Sequence, residues 1–437
     1  MALPKPLIKA DDFCDASRRV SAFLLLQQDR ERGFMLASFS LIFLVGILLG
    51  AVFSKLRIPG FLGMLLSGIL LGPYTLDLID PSILSMSAQL RQFALIIILI
   101  RAGLSLDLDD LKRVGRPAML LCFIPACFEI AGMILLAPAF LKVSVLEAAI
   151  MGSVVAAVSP AVVVPRMLKL MEEGYGKEKR IPHLIMAGAT VDDVFVIVIF
   201  TFFISIADGS SITGIQFVKI PVSILLGIVS GGFAGWVLSV LFRKVHIRDS
   251  SKVIIVVSFS FLLLAVEGQV EKIIPFSGLL AVMTAGMSLL HFYPVLARRL
   301  SGKFSKIWVA AEIILFVLVG AAIDINYMYS SGFKAVLLIF SVLFFRMIGV
   351  VVCLVHTKLN FRERCFCMVA YIPKATVQAA IGGIPLTMGL ACGDIVLTVA
   401  VLSILITAPL GAFGIDLLYK RCIGKTKQCS QKHLEGK

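Results

Sequence analysis

The stretch AAVSPAVVVPRM, residues 156–167, is apolar enough for a membrane interior yet carries two prolines. Pro160 removes a backbone donor and clashes one turn back, and Pro165 does the same. A second stretch, YIPKATVQAAIGGIPL at 371–386, carries Pro373, the Gly382–Gly383 pair and Pro385. The two lie in the fifth and twelfth long apolar runs of the chain and are the most interrupted of them. A separation of seven runs is odd, so the two cross a membrane in opposite directions. Inverted repeats produce that arrangement, and paired broken helices in them mark a substrate site near the midplane. The alternative is a pair of proline kinks with a packing role.

The composition supports reading these runs as spans. Of 437 residues, 59% are hydrophobic, against roughly 45–50% for soluble domains, and the mean hydropathy is +1.00. Apolar runs of about 20 residues recur along the whole chain, the length of a transmembrane helix. A transmembrane barrel would show alternating segments of roughly 10 residues, and there are none. The expected fold class is an all-α polytopic membrane protein with about thirteen spans. They are placed at 34–54, 59–76, 90–106, 117–140, 145–168, 182–207, 216–242, 252–269, 275–292, 305–324, 333–356, 364–390 and 393–418. The domain division is a tail at 1–33, a transmembrane domain at 34–420 and a C-terminal tail at 421–437.

Charge fixes an orientation. The formal net charge is +14, but the cations lie in short loops between apolar runs, which argues against nucleic acid. They cluster after odd-numbered spans, as at Lys55 and Arg57, Lys112 to Arg116, Arg243 to Arg248, Arg298 to Lys303, and Lys420 to Lys427. The positive-inside rule then places the C-terminus in the cytoplasm and the N-terminus outside. The tail at 1–33 lacks an early apolar core, so no cleavable leader is expected. The short tails lead to the expectation of a bacterial plasma (inner) membrane. Nine cysteines, mostly within apolar runs, read as reduced buried thiols.

The next stretch outward is GATVDDVFVIVIF, 188–200, where Asp192 and Asp193 head an apolar run. Their side chains point about 100° apart on a helix, so they do different jobs. A carboxyl pair buried together titrates as a unit and binds protons or a hard cation. The alternative is two solvated aspartates at a helix N-terminus. A break before Ser159–Pro160 frees the carbonyls of Ala157 and Val158, which with the Ser159 hydroxyl are candidate Na⁺ ligands beside the aspartates. Lys374 suits the negative ends of half-helices. Glu129 and Arg346 lie mid-span with opposite signs and are proposed as an ion pair, because an uncompensated buried charge is costly.

These stretches, with IRAGLSLD (100–107), GYGKEKRIPHLIMAGATVDD (174–193) and DIVLTVAVLSILITAPLG (394–411), resemble the sodium/proton antiporters of the NHA branch of the cation/proton antiporter superfamily. The resemblance implies two crossed discontinuous helices at spans five and twelve, with Pro160 and Pro373 at their breaks. It implies an ion-carrying core, covering spans near 117–207 and 305–390, that moves like an elevator past a panel of the remaining spans. The panel would form a homodimer. Asp192 and Asp193 become the ion-binding aspartates, with Asp193 the essential carboxyl, and Glu129 with Arg346 matches a pair in NHA-type members. The chain departs in having Val158–Ser159–Pro160 where some members have Thr-Asp-Pro. It also has Arg346 where many electrogenic relatives have lysine. The expected function is exchange of Na⁺ or Li⁺ for H⁺ at the aspartate pair, without enzymatic chemistry or an organic cofactor. The partners are then small cations, protons and the bilayer. Alternatives are K⁺/H⁺ exchange on the same fold and sodium-coupled symport of an organic anion.

Overall fold

In the computed structural model, residues 34–105, 115–176, 178–207, 214–270 and 276–424 are described. The tails at 1–33 and 425–437 and the loop cations Lys112, Arg113, Lys177 and Lys272 lie outside them. The described elements are all α-helices. In chain order they are α1 (Phe34–Lys55), α2 (Gly60–Leu71), α3 (Pro81–Ser85), α4 (Ser87–Ser105), α5 (Arg116–Leu121) and α6 (Ile124–Leu141). Then come α7 (Val145–Val155), α8 (Pro160–Glu172), α9 (Ile181–Ala207), α10 (Gly214–Lys244), α11 (Asp249–Val270) and α12 (Gly278–Phe292). The remainder are α13 (Pro294–Ala321), α14 (Ile325–Leu354), α15 (Phe361–Ala370), α16 (Thr376–Ile381), α17 (Ile384–Thr387) and α18 (Gly393–Cys422).

The chain is a polytopic helical membrane protein. Taking α5–α6 and α7–α8 as one crossing each, ten described helices are long and apolar enough to span a bilayer. The helices α2 and α12 are shorter and apolar, and 361–387 comes in three pieces. Helix length alone therefore does not return the expected count of thirteen. Both interrupted stretches break where the prolines predict. A capping box of Ser144 and Glu147 starts α7, which ends at Val155, and Pro160 opens α8. A second capping box, Asn360 with Glu363, starts α15, which ends at Ala370 before Pro373. Pro165 does not break the chain, because α8 runs through it. An unforeseen break falls at Cys122–Phe123, just before Pro125 in the first turn of α6.

The helices pack in two groups. In the first, α13 lies against α2 and α4, and α12 lies against α4 and α10. Small residues make this possible: a Cβ at Gly68 would fall 2.0 Å from the Val317 carbonyl oxygen, and one at Gly320 would fall 2.1 Å from that of Leu65. Close backbone approach of this kind is how membrane helices gain packing without a hydrophobic drive. In the second group, α14 packs on α6, α7 on α6 and α9, and α18 on α7, α14 and α15. The expected core and panel divide differently at two helices. Helix α13, expected with the broken helices, packs in the first group, and α18, expected apart from them, packs in the second. Sequence order does not reveal which face meets which neighbour. Helix α13 also begins at Pro294 rather than near 305, so Arg298, Arg299 and Lys303 lie on its first turns.

Candidate functional site

Where the two broken segments meet, the Ser159 amide donates to the Pro373 carbonyl at 2.8 Å. The breaks thus cross backbone to backbone, in the interior of the second group. Ending α7 at Val155 strands carbonyls that would otherwise bond the next turn. Side chains from α14 and from the second broken stretch reach them. Lys374 Nζ donates to the Val155 carbonyl at 2.6 Å, placing a cation at the negative end of α7. Arg346 Nη1 donates to the Ala156 carbonyl. Gln378 Nε2 donates to those of Ala157 at 2.8 Å and Val155 at 3.2 Å.

The same cations hold two carboxylates. Arg346 Nη1 lies 2.5 Å from Glu129 Oε2, and its Nη2 lies 2.9 Å from Asp192 Oδ2. Its Nε donates to the Tyr371 carbonyl at 2.9 Å. Lys374 Nζ lies 2.7 Å from Glu129 Oε1. Asp192 Oδ2 also accepts the Val158 amide at 2.9 Å. Glu129, Asp192, Arg346 and Lys374 are each 0% exposed. Two cations facing two carboxylates, with most donors used, is the arrangement that makes such burial tolerable. The Glu129–Arg346 pair is therefore part of a quartet that also takes in Asp192 and Lys374.

Asp193 stands apart from this network. It is half-buried, its Oδ1 has no hydrogen-bond partner, and among the described residues no cation pairs with it. It lines a cleft with Thr190 and Thr376, whose other wall is apolar: Leu95, Leu99 and Ala102 from α4 and Met283 from α12. The cleft lies between the two helix groups. The aspartates thus split as their angular separation requires, Asp192 inward to the network and Asp193 outward to the cleft.

Of the oxygens expected as ligands, the Ala157 carbonyl accepts one hydrogen bond from Gln378. Val158 meets Asp192 through its amide. The Ser159 hydroxyl is buried without a partner. So are Asp192 Oδ1, Thr376 Oγ1 and Gln378 Oε1. Gln378 and Thr376 were missed by sequence reasoning although both lie in the PKATVQ motif, just past the second break. No cluster of three or more His, Cys, Asp or Glu able to hold a metal occurs among the described residues. An isolated carboxylate with hydroxyls nearby instead suits a weakly held hard cation or a proton.

Comparison with known proteins agrees with this architecture. The family model described as sodium/hydrogen exchanger, transmembrane, matches residues 39–420. The chain is 32% identical over 402 residues to sodium/hydrogen exchanger 9B2 of Mus musculus, covering 87% of this chain and 71% of the relative. It is 31% identical over 402 residues to sodium/hydrogen exchanger 9B1 of Homo sapiens, covering 86% and 76%. These relatives are animal proteins and lend no support to the expected bacterial membrane. Among solved structures, the sodium proton antiporter MjNhaP1 of Methanocaldococcus jannaschii superposes with a TM-score of 0.79 at 20% identity, covering 90% of this chain and 99% of that one. That likeness shows a shared fold. The chain belongs to the sodium/hydrogen exchanger family of transmembrane proteins.

Proposed function

We propose that this protein exchanges Na⁺ or Li⁺ for H⁺, with Asp193 as the group both cargoes occupy in turn. The observation that carries the reading is the isolation of Asp193. Of the two aspartates, only Asp192 has a cation paired with it among the described residues. An ionised Asp193 faces an apolar wall on α4 and α12, and carrying a bare charge past such a wall is costly. A bound Na⁺ or a proton removes that cost. Each crossing then carries one cargo or the other, and obligatory exchange follows. Asp192, held by Arg346 and the Val158 amide, keeps the crossing rigid, with its Oδ1 left without a partner. The Ser159 hydroxyl serves as a further ligand.

The helix groups suit an elevator. The crossed breaks, the quartet and Asp193 all belong to the second group, and the first group supplies the wall they would move along. Helices α1, α10 and α11 present apolar faces to lipid or to a second copy, in keeping with the homodimer that the family resemblance implies. The test is proton flux in proteoliposomes holding a pH gradient, with Na⁺, Li⁺ and K⁺ added in turn. Na⁺ and Li⁺ should collapse the gradient in the wild type, and Asp193→Asn, shown to be folded, should be silent. Undiminished sodium-driven flux in that variant would refute the assignment.

A further inference from the structure

Thr376 opens α16, immediately after the second break, and is 2% exposed. Its Oγ1 has no hydrogen-bond partner among the described residues. A hydroxyl buried in this way is a departure from the rule that interior polar atoms are satisfied, and such a departure calls for an explanation. The side chain lines the same cleft as Asp193, whose Oδ1 is equally without a partner. The two do not bond each other, and both oxygens keep unused acceptor capacity at the same cleft. The other hydroxyl in the cleft, Thr190, differs: its Oγ1 already donates to the Met186 carbonyl of its own helix at 2.8 Å. Apart from Asp193 and these two threonines, the lining is apolar.

From this geometry we infer that Thr376 is a ligand for the transported cation, its hydroxyl oxygen facing Asp193 across the bound ion. The inference rests on the proposed role of Asp193. A hard monovalent cation takes neutral oxygens together with carboxylate, on the logic that governs other hard-ion sites. A proton on Asp193 needs no second oxygen. Thr376 therefore favours the metal ion over the proton and sets the apparent affinity for Na⁺ and Li⁺. It sits on the second crossed helix while Asp193 sits on α9, so the ion would be held between two elements of the same helix group and travel with both.

The test compares Thr376→Val, Thr376→Ser and Asp193→Asn with the wild type in proteoliposomes, reading apparent KM for Na⁺ and Li⁺ separately from the maximal rate. Valine has the shape of threonine without the oxygen. It should raise the KM for both cations by about tenfold, the worth of one neutral polar contact, with a smaller effect on the maximal rate. Serine keeps the oxygen and should keep the low KM. A wild-type KM in Thr376→Val, a fall in maximal rate alone, or a raised KM that serine shares would each overturn the inference. If Asp193→Asn is silent in the same series, the Asp193 reading survives that failure. If Asp193→Asn still exchanges, both fall together.

Discussion

At the scale of single residues, the heart of the molecule is Arg346, whose side chain meets Glu129, Asp192 and the carbonyls of Ala156 and Tyr371. Removing one partner from such a set leaves charge without compensation. Glu129→Gln leaves Arg346 and Lys374 facing only Asp192. The expected loss is about 3 kcal/mol or more, read as a lowered midpoint in thermal unfolding of the detergent-solubilised protein. Glu129→Gln with Lys374→Met restores one cation to one carboxylate and should recover part of that loss. Simple addition of the two single losses would contradict the quartet. Part of this arrangement was legible in the sequence. Glu129 and Arg346 are opposite charges in the middle of apolar runs, and burial forces such groups to seek partners. Lys374 and Gln378 on the stranded carbonyls were not legible as contacts, because those bonds depend on how the two breaks cross. Thr376 was passed over for a related reason: a lone hydroxyl in a motif signals nothing until its missing partner and its neighbour Asp193 are seen.

At the scale of elements, proline punctuation located both breaks, since the lost amide and the ring clash act on the local chain whatever surrounds it. It misled at Pro165, which α8 absorbs in its second turn. It was silent at Cys122–Phe123, where nothing but Pro125 marks the interruption. The elements that the proposed sliding brings past each other are α4 and α16, on opposite sides of the Asp193 cleft. If the second group slides past the first, tying these helices together stops turnover. The pair Leu99→Cys and Val377→Cys places a thiol on each wall of the cleft. Joining them with a short bifunctional, reducible thiol reagent should abolish exchange, and reduction should restore it, with each single cysteine variant treated alike as the control. Exchange at the wild-type rate in fully cross-linked protein would exclude sliding between these two helices.

At the scale of the whole molecule, the all-helical membrane architecture follows from hydropathy and span length, because a bilayer leaves so few ways to satisfy a backbone. The division into two groups does not follow in the same way. Helices α13 and α18 change sides relative to the expectation, since close approaches such as Gly68 to Val317 and Gly411 to Pro373 decide the neighbours. The consequence for function is that the first group forms the apolar wall of the Asp193 cleft and the second carries the buried quartet. In the proposed mechanism a single carboxyl at their boundary, Asp193, is neutralised by either Na⁺ or H⁺. The most direct measurement is binding of radioactive Na⁺ to the purified protein across a range of pH. Protons and Na⁺ compete for one carboxylate, so lowering the pH should raise the apparent dissociation constant for Na⁺ while the number of sites extrapolated to saturation stays the same, and Asp193→Asn should bind no Na⁺ at any pH. An apparent dissociation constant that does not change with pH, or pH-dependent Na⁺ binding that persists in Asp193→Asn, would contradict the shared site.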